Sequence, residues 1–145
     1  MKRETKIAAA VFAAIPVAVL SAAVLCSWAI AHGAPAYWRL PFRVLCHGIP
    51  HRCFTLFAVP MPICARCTGI YVGMFAGLAA FFAMPFVSER WLRISAFTTA
   101  GVLAIDGLTQ LVRLRESTNE LRLATGLAAG LTFGMWVLSA IERRD

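Results

Sequence analysis

The strongest constraint on this chain is a set of long runs that carry almost no charge. Four of them stand out, at residues 7–31, 67–87, 94–112 and 123–141, and Asp106 is the single charge inside the third. A hydrocarbon core about 30 Å thick is crossed by roughly 20 helical residues, so each run is close to a membrane span in length. Lipid offers the backbone no hydrogen-bond partners, which makes helices the expected spanning structure. Composition points the same way: charged residues make up 14% and hydrophobic ones 60%, with a mean hydropathy of +0.74. An ordinary soluble domain has about a quarter charged residues, and a disordered tail has more charge still. The expectation is therefore a single transmembrane domain over residues 1–145, all-α. It is a bundle of four transmembrane helices with a Pro-rich loop at 32–66 between the first two.

The formal charge is +7, but the 14 basic residues are scattered singly between apolar runs, without the stripe or arm that nucleic acid requires. The expected partner is the lipid bilayer of a cell membrane. The first run follows Lys2, Arg3 and Lys6 as a signal peptide would. It far exceeds the roughly 7–15 apolar residues of a signal h-region, so it reads as an uncleaved anchor. Pro16 inside it is expected to bend the helix without breaking it. Charge hardly orients the chain. Lys2, Arg3, Lys6, Arg90, Arg93, Arg143 and Arg144 fall on one side, and Arg39, Arg43, Arg52, Arg66, Arg113, Arg115 and Arg122 on the other. Because the first helix usually dominates, both termini are assigned to the cytoplasm. That choice puts seven arginines and no lysine on the translocated side. Anion binding through the planar guanidinium fork is one explanation; headgroup anchoring or the reverse orientation is the other.

Two runs repeat glycine at every fourth position: Gly69, Gly73 and Gly77 in the second, Gly126, Gly130 and Gly134 in the fourth. Such spacing lines one helix face with hydrogen atoms and lets a neighbouring backbone approach closely. Each set also follows an arginine and a Thr-Gly pair, which hints at a duplicated two-helix hairpin.

The loop at 32–66 carries five prolines, too many for one regular helix. Its part from 54 to 65 is apolar yet too short to span, so an interfacial or re-entrant course is expected. Four of the five cysteines fall within the 22 residues from Cys46 to Cys67, and Cys26 stands alone in the first span as a small buried hydrophobe. Cys64-x-x-Cys67 suits two chemistries. In one, Cys46, His47, Cys64 and Cys67 supply three thiolates and an imidazole to a metal, zinc before other transition metals, with His51 or Cys53 as substitutes. The 16 residues between His47 and Cys64 resemble zinc-ribbon spacing, although adjacent ligands at 46 and 47 are less usual than a spaced pair. In the other, Cys64 and Cys67 form a redox dithiol, activated by the helix N-terminus and Arg66, with Cys46 and Cys53 as a shuttling pair. A static disulfide or ordinary interfacial thiols are the plain reading.

Asp106, Gln110 and Arg113 fall on one face of the third run. A carboxylate at membrane depth is expensive, so Asp106 is a candidate proton acceptor or counter-ion, paired with Arg113 or an arginine of the first loop. A structural ion pair is the plain alternative. In the last loop, Ser117 and Glu120 fit a capping box for the fourth helix, leaving Arg115, Asn119 and Arg122 without a local role. In a four-span layout the first and third loops share one membrane face. There Arg66, Gln110, Arg115, Asn119 and Arg122 would line a pocket for an anionic small molecule or lipid headgroup.

The segments Cys46-His47, Pro50, Arg52-Cys53-Phe54 and Pro62-Ile63-Cys64-Ala65-Arg66-Cys67-Thr68-Gly69 resemble the first motif of a prokaryotic family of small polytopic membrane proteins, known as a domain of unknown function. Asp106-Gly107-Leu108-Thr109-Gln110, Arg115-Glu116-Ser117-Thr118-Asn119, Leu121-Arg122 and Thr125-Gly126 resemble its second motif. The likeness covers residues 40–135 and implies a multi-span membrane protein. It carries over to Cys46, His47, Cys64, Arg66, Cys67, Asp106, Gln110, Arg115, Ser117, Asn119 and Arg122, and it supplies no reaction. Family members usually have serine at the position of Cys53 and often an acidic residue at that of His51, which weakens the Cys46–Cys53 shuttle. Three functional readings follow: a metal-holding membrane protein with an arginine-rich pocket, a membrane thiol–disulfide oxidoreductase, and an accessory subunit of a larger membrane complex.

Overall fold

The computed structural model describes residues 3–83, 87–112 and 116–143. Four α-helices carry the chain: α1 (Arg3–Ala31), α2 (Ala65–Ala83), α3 (Glu89–Leu111) and α4 (Asn119–Arg143). Each begins two to five residues ahead of its apolar run, because polar residues such as Glu89 and Asn119 form the first turns. The expected end of the second span, at 87, follows three residues that lie outside the described ones. α1 passes through Pro16 unbroken. Among the described residues, three helices, α1, α2 and α4, are long and apolar enough to cross a membrane. α3 matches them in length, with 23 residues, but carries Glu89, Arg90, Arg93 and Asp106 and is less apolar.

The stretch 32–66 is more ordered than a loop, and this corrects the all-α expectation. Short 3-10 helices form at Ala36–Val44 and Pro50–Arg52. Between them and α2 lies an antiparallel hairpin of β1 (Cys53–Leu56) and β2 (Val59–Cys64), with Cys53 opposite Cys64, Thr55 opposite Pro60 and Leu56 opposite Val59. The part expected to lie at the interface or re-enter the membrane folds as this hairpin. Its turn residues Phe57 and Ala58 have φ of 55° and 60°. A two-residue turn with both centres left-handed follows the right-handed twist of the strands, but asparagine and glycine usually occupy it. Pro60 and Pro62 are tolerated because a two-stranded ribbon leaves one edge of each strand unpaired.

The glycine runs do meet. A Cβ added at Gly69, Gly73 or Gly77 would overlap carbonyl oxygens of Leu123, Leu127 and Leu131 in turn, and one at Gly126 or Gly130 would overlap those of Arg66 and Ile70. Partner numbers rise together along the seam, so α2 and α4 run parallel. The chain between them must travel back, and α3 is the element that does so. Leu92, near its start, packs with Phe81 at the end of α2, while Asp106, near its end, pairs with Arg66 at the start of α2. α1 also opposes α2: Ala9 lies against Leu78, Phe81 and Leu138, whereas Ala23 lies against Ile63 and Cys46. The hairpin, the starts of α2 and α4 and the ends of α1 and α3 therefore gather at one end of the bundle. Large apolar side chains face outward from α3, among them Trp91, Phe97, Ile105 and Leu108, as a lipid solvent allows.

Candidate metal centre

Three stretches of the chain converge on one group of thiols. Cys46 follows the Ala36–Val44 helix, Cys64 ends β2, and Cys67 lies in the first turn of α2. Their sulfurs all lie within 4.8 Å of one another. Sulfurs bound about 2.3 Å from one tetrahedral ion stand ~3.8 Å apart, so small side-chain adjustments would place all three on a single ion. The local backbone prepares them. The Cys64 N–H donates to Cys46 Sγ at 3.2 Å, and the Cys67 N–H to Cys64 Sγ at 3.5 Å. Hydrogen bonds from the neighbouring thiols and from the N–H groups of Gly48 and Cys64 outweigh burial at Cys46 and hold its thiol well below the ordinary range. Gly48 is needed where it stands: its φ is +58°, and a Cβ there would lie 2.9 Å from the Pro62 carbonyl oxygen. The group is set against an apolar cluster with Ala23, Met61 and Ile63; Cys46 is buried, and Cys64 and Cys67 are half-buried.

His47 and Cys53 stand apart from this group. His47 is exposed, and its ring is not among the ligand atoms gathered with the three sulfurs. Cys53 faces Cys64 across the hairpin, yet its Sγ donates to the Ile49 carbonyl at 3.2 Å, and burial pushes its thiol up to about 12. It stays a neutral thiol, unsuited to pairing with Cys46 as a shuttle. Cys26 is buried in α1, as expected of an isolated cysteine in a span.

Beside the thiols, a chain of polar side chains ties three helices together. Arg66 of α2 pairs with Asp106 of α3. Gln110, one turn further along α3, donates through Nε2 to Asp106 Oδ2 at 2.8 Å. Its Oε1 accepts from Arg122 Nε and Nη2 of α4 at 3.2 and 3.1 Å, and Arg122 Nη1 donates to Asn119 Oδ1 at 3.0 Å. Gln110 and Arg122 are only 6% and 5% exposed, so these bonds form away from water. The partner of Asp106 is thus Arg66, which the sequence assigns to the end of the first loop and which lies in the first turn of α2. Arg113, the other candidate, and Arg115 lie outside the described residues.

A cavity of about 830 Å³ opens beside this network, lined by Arg52, Gln110, Ser117, Thr118, Asn119 and Arg122 among others. Arg52 and His51 also line the cavity, and the sequence marks them only by their place beside Cys53. Arg39 was also missed: its Nη2 donates to the Pro60 carbonyl at 2.7 Å and pins the hairpin. The cap of α4 is shifted from the expected Ser117–Glu120 box. Thr118 Oγ1 accepts the Leu121 N–H at 3.3 Å, one residue later, because the helix begins at Asn119.

Residues 46–136 match the family described as Predicted membrane protein (DUF2085), a stretch that holds every member of the thiol group and of the polar chain. An uncharacterized protein of Methanocaldococcus jannaschii is 39% identical over 105 residues, covering 67% of this chain and 64% of its own length. The chain thus spans less than two thirds of that relative. An uncharacterized protein of Methanothermobacter thermautotrophicus is 40% identical over 100 residues, covering 69% of this chain and 88% of its own length. No solved structure matches.

Proposed function

The chain belongs to the DUF2085 family of predicted membrane proteins, and on that premise we propose a multi-pass protein that holds a transition metal on Cys46, Cys64 and Cys67 at one membrane face. The observation that carries the reading is the approach of three sulfurs, one from the stretch after the Ala36–Val44 helix, one from the end of β2 and one from the first turn of α2, to within 4.8 Å of one another. Soft thiolates select zinc, copper(I) or iron, and zinc is the first choice because it also accepts imidazole or water as a fourth ligand. His47, adjacent to Cys46 in the chain, supplies that ligand if its ring turns inward; otherwise the fourth position is left for an outside group. α3 is the fourth crossing, with both termini cytoplasmic. Asp106 serves as counter-ion to Arg66, and the polar cavity takes an anionic group.

Metal analysis of the purified full chain tests this. The wild type should retain about one zinc per chain, and Cys64→Ser should lose it. A wild type free of zinc, iron and copper overturns the reading. The same sulfurs suit a dithiol couple, but that chemistry uses two of them and leaves the third without a role. A Cys64–Cys67 disulfide that opens and closes with added quinone would favour the thiol oxidoreductase instead. Stable co-purification with other subunits would favour the accessory role.

A further inference from the structure

Arg122 is a buried cation held in position but not neutralised. Three of its N–H groups go to neutral amide oxygens, two to Gln110 and one to Asn119. No carboxylate pairs with it among the described residues, because Asp106 is engaged by Arg66 and by Gln110 Nε2. A buried guanidinium normally has a counter-charge. Arg52 borders the same cavity, and its Nε is buried without a hydrogen-bond partner among the described residues. The acidic residue on the cavity lining, Glu116, is exposed, so water screens it. Two arginines without carboxylate partners among the described residues therefore border a cavity of about 830 Å³.

Resting on the reading of this cavity as an anion site, we infer that it binds a phosphate group between the guanidiniums of Arg122 and Arg52. Two planar forks from separate elements suit a tetrahedral oxyanion, whereas one fork is enough for a carboxylate. Ser117, Thr118 and Asn119, at the start of α4, border the same space and make its wall polar. The volume exceeds what inorganic phosphate alone fills and falls in the range of organic ligand sites, roughly 300–1,000 Å³. A phosphate ester fits this description, whether it is a lipid headgroup or a water-soluble compound. Arg66 is assigned no direct contact, since Asp106 already holds it.

The test uses the full chain in uncharged detergent at fixed ionic strength, with unfolding followed by tryptophan fluorescence. Inorganic phosphate is compared with acetate, and micelles doped with phosphatidic acid with micelles doped with oleic acid. At a probe concentration a hundredfold above Kd, the wild-type midpoint should rise on the order of 5 °C. Arg52→Gln, which removes a side chain whose Nε has no partner among the described residues, should fold and lose the shift. Arg122→Gln should lose it too, while Arg93→Gln, an exposed arginine near the start of α3, should keep it. A shift with inorganic phosphate supports a soluble ester; a shift confined to phosphatidic acid supports a headgroup. Equal shifts with acetate or oleic acid overturn the phosphate assignment and leave an anion site. No shift with any anion overturns both. An undiminished shift in Arg52→Gln places the binding elsewhere and overturns the proposal.

Discussion

Along the seam between α2 and α4 the helices touch where side chains are missing, whereas at the starts of the same helices they are joined through some of the longest side chains available. In the seam, glycine brings backbone against backbone and contact is made by Cα–H groups and carbonyls. At the end, Arg66 and Arg122 reach across to Asp106 and Gln110 of α3. The seam has no freedom to adjust, because its atoms belong to two rigid helices. The polar end is built of rotatable side chains that can exchange partners. Such a division suits a scaffold that fixes one end of a bundle while leaving charged groups there free to meet a ligand.

The largest effect is expected from breaking the seam. In Gly73→Ala the new methyl would meet the Leu127 carbonyl, with the Leu131 nitrogen 2.9 Å away. Neither atom can move without parting the helices. A loss of about 4 kcal/mol or more is expected, in the range reserved for overpacked cores. It should be read as failure to give a monodisperse, cooperatively melting protein in detergent. Gly101→Ala is the contrast, since nothing lies within 4 Å of a Cβ there. It should gain about 0.5–1 kcal/mol from helix propensity alone. Equal tolerance of the two substitutions would mean that the seam is not as close as described.

Breaking the polar end should cost less and should be repairable. The Arg66 and Asp106 side chains are 20% and 9% exposed. Removing one partner of such a pair leaves a buried charge uncompensated, at a cost of about 3 kcal/mol. Arg66→Met and Asp106→Leu should each lower the melting midpoint, and the double variant should lie well above the sum of the two losses. No glycine substitution in the seam offers such a rescue, so additivity at Arg66 and Asp106 would erase the distinction between the regions.

How much of this was readable from the residues follows the same division. The glycine repeats mark two closely packing faces, because a missing side chain has one steric meaning at four-residue spacing, but only the structure shows that the two faces meet each other. The helices followed from uncharged length, and α3 was placed despite Asp106. Cys46, Cys64 and Cys67 were named as a group and are brought together. His47 was grouped with them on adjacency in sequence, yet neighbouring residues leave the backbone in different directions, and its ring faces outward. The Arg66–Asp106 pairing could only be offered as one option, because long side chains reach many partners and nothing in a single sequence selects one. The hairpin went unread altogether. Its turn carries Phe57 and Ala58 where asparagine and glycine would announce it, and its second strand contains two prolines.

That unannounced turn gives the smallest effect and the most local one. Left-handed backbone costs an ordinary residue roughly 1–2 kcal/mol, so Phe57 and Ala58 hold the hairpin together against their own preference. What compensates is tertiary: Arg39 grips Pro60, and Met61 and Ile63 lie buried in the cluster around the thiols. Ala58→Gly removes most of the penalty at one position and should stabilise the protein by about 1 kcal/mol, less the extra entropy of glycine in the unfolded chain. Because β2 leads directly into Cys64, a firmer hairpin should also slow zinc loss to a chelator, a readout that Gly101→Ala should leave unchanged. Should Ala58→Gly destabilise the chain instead, the turn is not left-handed at that residue, and the hairpin would not be what carries Cys64 to its partners.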